Sequence, residues 1–173
     1  MMIQFVQLTE PNLNVLKTLN QWENDPALMG LTHPVQSEAE LRKPKNVSIN
    51  DLANRLTYET IYLIYTDDQL IGEMNYIIDP SHLYKKEPKT AWIGIVIGEH
   101  KEQSKGIGYA AMNYLEKQIK TNNIKRIELG VFAFNKRAHR LYQKLGYREI
   151  GRIEDFTWWQ GKMWPDIRME KYL

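Results

Sequence analysis

Gly106 and Gly108, separated by Ile107, are the residues whose type and spacing first suggest chemistry. They follow Gln103-Ser104-Lys105 and open a segment in which Ile107, Ala111, Leu115 and Ile119 recur every fourth residue, the spacing of an apolar helix face. At a helix N-terminus the first-turn N–H groups have no partner inside the helix, and the helix dipole favours negative charge there. Glycine lets an anion approach the main chain where a β-carbon would stand in the way. The chemistry this predicts is a pyrophosphate held by backbone amides. Two other readings stand beside it. Glycines at a strand–helix junction can serve the turn alone, and Gly106-x-Gly108-x-x-Ala111 fits a loose dinucleotide-binding pattern. That pattern wants its glycine almost directly after a strand and an acidic residue at the end of the next strand. Here Gly98 to Lys105 intervene and Glu128 sits inside its strand, so the dinucleotide reading is set aside.

The elements that must position this loop follow from the flanking residues. Ile93 to Ile97 is an apolar, β-branched run of strand length. The helix over 107–121 breaks at Asn122-Asn123, Arg126 to Phe132 reads as a strand, and Asn135 caps a helix carrying Ala138, Leu141, Tyr142 and Leu145 that Gly146 ends. Upstream, Met2 to Leu8 is a strand, and Thr9 with Pro11 predicts a helix start, with Leu13, Leu16, Leu19 and Trp22 on its inner face. Asn24-Asp25-Pro26 ends that helix and leads to a short second one stopped by Gly30. Residues 31–47 read as a loop with one helical turn near Glu38–Arg42, and Ser48 to Asp51 resembles a capping box. Ile61 to Tyr65 and Leu70 to Ile78 are strands joined by a hairpin turn at Thr66-Asp67-Asp68-Gln69, and a loop from Asp79 to Lys89 leads into the central strand. The tail from Tyr147 is β with one turn at Gln160-Gly161-Lys162. This order predicts an α/β (α+β) fold, a mixed sheet with helices on both faces, in a single domain over 1–173.

Composition excludes several function classes. The chain has 173 residues, no cysteine and a net charge of +2 with both signs interspersed. That rules out disulfides, thiolate metal sites and a cysteine nucleophile, and gives no reason to expect nucleic acid as a partner. No apolar run approaches a membrane span, the N-terminus lacks a signal-peptide core, and the expected compartment is the cytoplasm. The histidines at 33, 82, 100 and 139 show no ligand spacing, so no metal is expected.

Gln103-Ser104-Lys105-Gly106-Ile107-Gly108 resembles the acyl-CoA pyrophosphate loop of the GNAT superfamily of N-acetyltransferases. The later block Asn135-Lys136-Arg137-Ala138-His139-Arg140-Leu141-Tyr142, continuing to Gly146-Tyr147, is similar to the same family's second motif. The pattern lies nearest to the ribosomal-protein N-terminal and polyamine acetyltransferase branch, and it is close over roughly residues 60 to 150. The resemblance implies a mostly antiparallel sheet of six to seven strands in which two central parallel strands splay apart around the pantetheine arm of acetyl-CoA. Ile95, Val96 and Ile97 would pair with that arm, and Gln103, Ser104, Lys105, Gly106, Ile107 and Gly108 would hold the pyrophosphate. Asn135 would bond the arm, and Arg137 is placed to meet the phosphates, although surface solubility explains a basic residue there equally well.

The resemblance also implies direct transfer of the acetyl group from acetyl-CoA to an amine acceptor, either a small-molecule amine such as a polyamine or aminoglycoside or a protein N-terminus, with Tyr142 protonating the leaving thiolate. Read from spacing alone, Tyr142 is a core tyrosine. The family's strand glutamate is replaced by Trp92, so the general base is not carried over. Glu73 stands first among the nearby carboxylates, ahead of Asp79 and Glu128, although all three read more readily as outward-facing strand residues. Trp92 is a candidate acceptor-binding residue that could join Trp158, Trp159 and Trp164 in one aromatic face for a cation. Those tail tryptophans would also suit a homodimer contact. An acyl-CoA-binding sensor with weak or no catalysis is the alternative that Trp92 keeps open.

Overall fold

The computed structural model describes residues 1–173. A strand β1 (Ile3–Leu8) is followed by helices α1 (Leu13–Glu23), α2 (Met29–Thr32), α3 (Glu38–Arg42) and α4 (Ile49–Arg55). Then come β2 (Thr60–Thr66), β3 (Gln69–Ile78) and β4 (Thr90–Ile97), and, after a 3₁₀ turn at His100–Glu102, helix α5 (Ile107–Thr121). The chain closes with β5 (Arg126–Phe132), α6 (Lys136–Lys144), β6 (Arg148–Trp159) and β7 (Lys162–Tyr172). The seven strands lie in the order β1-β2-β3-β4-β5-β7-β6. Every pair is antiparallel except β4 and β5.

The parallel pair explains the site. Its register covers only Thr90↔Arg126, Ala91↔Ile127 and Trp92↔Glu128. Beyond Trp92, β4 stays with β3 as far as Ile97, and β5 stays with β7 as far as Phe132. Each strand keeps its outer neighbour, so a gap opens between the two.

Alternation along these strands sorts the faces. Ala91, Ile93, Ile127, Leu129, Val131, Ile167 and Met169 join Ile107, Ala111, Met112, Leu115 and Ile119 of α5 in the larger core. On the other face Leu16, Leu19 and Trp22 of α1 and Leu52 of α4 pack on Leu8, Ile61 and Leu63. Between the two, the second face of β5 and β7 carries a buried polar row: Arg126, Glu128, Asp166, Arg168 and Glu170 are each at most 3% exposed. Buried charge is tolerated only when paired and hydrogen-bonded. Here Glu128 accepts from the Tyr84 and Lys85 amides at 2.7 and 3.0 Å and from Arg126 at 2.8 Å, while Arg168 donates to the His82 carbonyl at 3.1 Å. The row pins the loop 79–89 across the sheet. Glu128 is therefore a structural carboxylate rather than the outward-facing one its strand position suggested.

Two local expectations change. Asn12, not Thr9, caps α1, accepting from the Val15 amide at 3.0 Å. Asparagine is at least as good a cap as threonine, and starting there turns Val15, Leu16, Leu19 and Trp22 inward while Leu13 stays 71% exposed. Gly30 lies inside α2 rather than ending it; a β-carbon there would stand 2.2 Å from the Trp159 ring, so its role is close packing. The Ser48–Asp51 capping box forms, and the β2–β3 hairpin turns through Asp67 and Asp68 at φ 46 and 66.

Candidate active site

A cavity of about 1150 Å³ opens where β4 and β5 separate. Ile95, Val96 and Ile97 line it, past the last β4–β5 pair, so no strand lies beside their β5-facing main chain. Ser104, Gly106 and Gly108 line the same space. Ser104 and Gly106 turn the chain through positive φ, 64 and 80, and Gly106 is the N-cap of α5 without any side-chain cap. The first-turn amides of α5 are left to an incoming anion. Gly108 has its own reason: a β-carbon there would lie 3.2 Å from Leu141 Cδ2, so glycine lets α5 and α6 approach.

The other loop residues divide. The Gln103 side chain donates to the Ile97 carbonyl at 2.9 Å and accepts from Arg137 at 3.0 Å, tying the end of β4 to α6. Ile107 is in the core, so only its main chain faces a ligand. Lys105 pairs with Glu102 at 3.1 Å and does not line the cavity. Sequence reasoning missed Arg140 and Lys144, which join Arg137 on the cavity side of α6. Their spacing of three and four residues was a readable helix face.

Asn135 both caps α6, accepting from the Ala138 amide at 3.2 Å, and lines the cavity. Tyr142 is similarly double: 8% exposed and part of the main core, yet on the cavity wall. Burial pushes its phenol up to about 12, so it keeps its proton throughout the neutral range.

The far side of the cavity is acidic. Glu23, Asp51, Glu59, Glu73 and Asp166 line it, with Arg55 among them, while Glu102, paired with Lys105, is the one acidic lining residue on the glycine-loop side. Arg55 bonds both oxygens of Glu73 and also Glu59, and Asn75 donates to Glu73 at 3.1 Å. Glu73 is thus buried, on the cavity, and committed to an ion pair. Asp79 instead caps the start of β4, accepting from the Lys89 and Thr90 amides at 3.1 and 2.8 Å. Trp92 lines the cavity, but its ring face is covered by Arg168 at 4.7 Å and its neighbour is His82 at 4.7 Å. The single aromatic face does not form, because Trp159 and Trp164 gather around Phe134 instead, at 5.1 and 5.6 Å. No group of metal-ligating side chains is present, and no helix is long and apolar enough to cross a membrane.

Comparison with known proteins fits this geometry. A family model described as "Acetyltransferase (GNAT) family" matches residues 17–147. The chain is similar to a spermine/spermidine N(1)-acetyltransferase of Bacillus subtilis (strain 168), 26% identical over 133 residues, covering 76% of this chain and 86% of that protein. In fold it is similar to spermidine N-acetyltransferase from Vibrio cholerae in complex with CoA and spermine, with TM-score 0.75 and 20% identity over 98% of this chain and 95% of that one. Ribosomal-protein-alanine N-acetyltransferase from Brucella melitensis gives a TM-score of 0.73 at 17% identity over all of both chains.

Proposed function

The chain belongs to the GNAT acetyltransferase family, using acetyl-CoA to acetylate an amine, and from that premise we propose that its acceptor is a polyamine-like cation attacked directly in a ternary complex. The observation that carries this reading is the charge division of one cavity. Its α6 end presents Arg137, Arg140 and Lys144 beside the open N-terminus of α5, matching the phosphates of CoA. Its opposite end presents Glu23, Asp51, Glu59, Glu73 and Asp166, matching a flexible ammonium chain. The similarity to polyamine acetyltransferases supports the same choice.

In this reading the pantetheine arm pairs with the free edge of β4 at Ile95–Ile97 and bonds Asn135. The amine lone pair forms the C–N bond, and the carbonyl π pair moves onto oxygen, towards a β4 amide near Val96 or Ile97. Collapse breaks the C–S bond and sulfur leaves with the pair. Tyr142 gives sulfur its proton, and the surplus proton on nitrogen returns to the phenolate. A phenol near 12 is a weak acid, so that return is what makes the exchange favourable: the nitrogen of the adduct is much the stronger acid. Glu73, held by Arg55 and Asn75, is placed to hold the cation's tail. An acyl-enzyme on cysteine is excluded, since the chain has none.

Thiol release from acetyl-CoA, measured with spermidine, an aminoglycoside and an alanine-terminated peptide, tests the reading. Spermidine is expected to give the highest kcat/KM. Turnover with the peptide alone would overturn the choice of acceptor.

A further inference from the structure

We propose that Asp166 receives the acceptor's reacting ammonium and takes its proton; this rests on the acetyltransferase reading above. Asp166 is the most buried carboxylate on the cavity wall, 3% exposed. It lies on β7 opposite Phe132 at the end of β5, past Glu128, the last β5 residue paired with β4. Its two oxygens stand 2.5 and 3.0 Å from the place a Gly130 β-carbon would occupy, and the tip of Trp92 stands 3.0 Å from it. Glycine at 130 is what lets the carboxylate reach over β5 towards the gap.

The hydrogen bonding leaves one oxygen for a ligand. Oδ2 accepts from Arg168 Nε at 2.7 Å, and no donor in the protein reaches Oδ1. Arg168 is held on its own side of the carboxylate: its Nη1 donates to the His82 carbonyl at 3.1 Å and stands 3.8 Å from Glu128, and its guanidinium lies over the ring of Trp92 at 4.7 Å. Glu73 differs, since Arg55 occupies both its oxygens. Trp92, Phe132 and Phe156 line the same cavity as Asp166, and apolar lining strengthens an ammonium–carboxylate contact. Burial raises the proton affinity of Asp166 against the pull of Arg168, which suits a base more than a permanently ionised carboxylate would.

Tyr142 belongs to the core on the opposite face of the sheet. Base and acid therefore flank the gap from its two sides. An N–H bond of the ammonium breaks, an O–H bond forms on Oδ1, and the electron pair stays on nitrogen for attack. The proton then leaves to solvent through the cavity.

The test is steady-state kinetics of Asp166→Asn with spermidine and acetyl-CoA between pH 7 and 9. The charged group facing Asp166 is Arg168 on its own strand, and behind Arg168 stand Glu128 on β5 and the His82 carbonyl on the loop 79–89. Asp166→Asn should lower kcat/KM for spermidine at pH 7 by about 10²-fold or more, with the KM for acetyl-CoA within about twofold of wild type. Its kcat/KM should then climb with pH as neutral amine becomes available, while the wild-type value stays flat. Should the single variant not fold, Asp166→Asn with Arg168→Gln removes both charges of the pair together and serves the same measurement. Wild type that turns over spermidine with Asp166→Asn within threefold of it overturns this assignment and leaves the acetyltransferase reading standing. A wild-type protein that releases no thiol with any amine overturns both.

Discussion

Tyr142→Phe is expected to lower turnover by about 10²–10⁴-fold, the usual worth of general acid–base catalysis, while acetyl-CoA affinity stays near wild type. The phenolic proton is needed as the thiolate departs and little before, so its loss falls on kcat. The substitution removes one oxygen and keeps the ring, so packing on Tyr147 at 5.9 Å survives. Burial is what raises the phenol, and its hydroxyl makes no hydrogen bond within the protein that the substitution would remove. The melting temperature should therefore change little. Turnover and thermal melting on one preparation decide the point: retained turnover with reduced stability would make Tyr142 a core residue only.

Glu170→Gln is expected to cost about 3 kcal/mol of stability, because it removes the negative charge that three cations share and leaves buried Arg126 with Glu128 as its one remaining buried carboxylate. Glu170 is 1% exposed and accepts from Arg126 at 2.7 Å, Lys85 at 2.8 Å and Arg148 at 2.7 Å. Arg126, itself 1% exposed, is the partner that matters; Arg148 and Lys85 reach solvent and contribute less. For a chain of this length that loss is a melting-temperature drop of roughly 6–12 °C. Burial alone would raise the Glu170 carboxyl, but its three cationic partners outweigh it and hold it down to about 2, against 4.5 for a free glutamate. A lowered folded-state value means the stabilisation is complete above about 4.5 and is lost as pH falls towards about 2. Wild type should thus lose melting temperature across that window, and Glu170→Gln should lose less of it. Parallel curves for the two proteins would contradict the assignment.

The sequence made some of this readable and hid the rest for physical reasons. A loop whose function lies in its backbone is legible, since Gly106, Gly108 and the four-residue apolar repeat of α5 each have one dominant conformational meaning. Caps are legible where a single good candidate stands alone, as Asn135 does. Thr9 and Asn12 compete, and only the packing of Leu16 and Trp22 decides between them. The acceptor side was the least legible. Asp166, Arg168 and Glu170 alternate with Ile167 and Met169, and such alternation ordinarily marks a solvated face. Here the loop 79–89 covers that face, a contact between segments some eighty residues apart that no local pattern encodes. Trp92 lines the cavity, yet the partner that covers its ring, Arg168, comes from a strand two places away in the sheet.

The central claim is that one cavity holds acetyl-CoA at its basic end and the amine at its acidic end at the same moment. Initial rates measured with acetyl-CoA and spermidine both varied test it most directly. Direct transfer in a ternary complex predicts double-reciprocal lines that intersect. Parallel lines, the sign of an acetylated enzyme formed before the amine arrives, would contradict it.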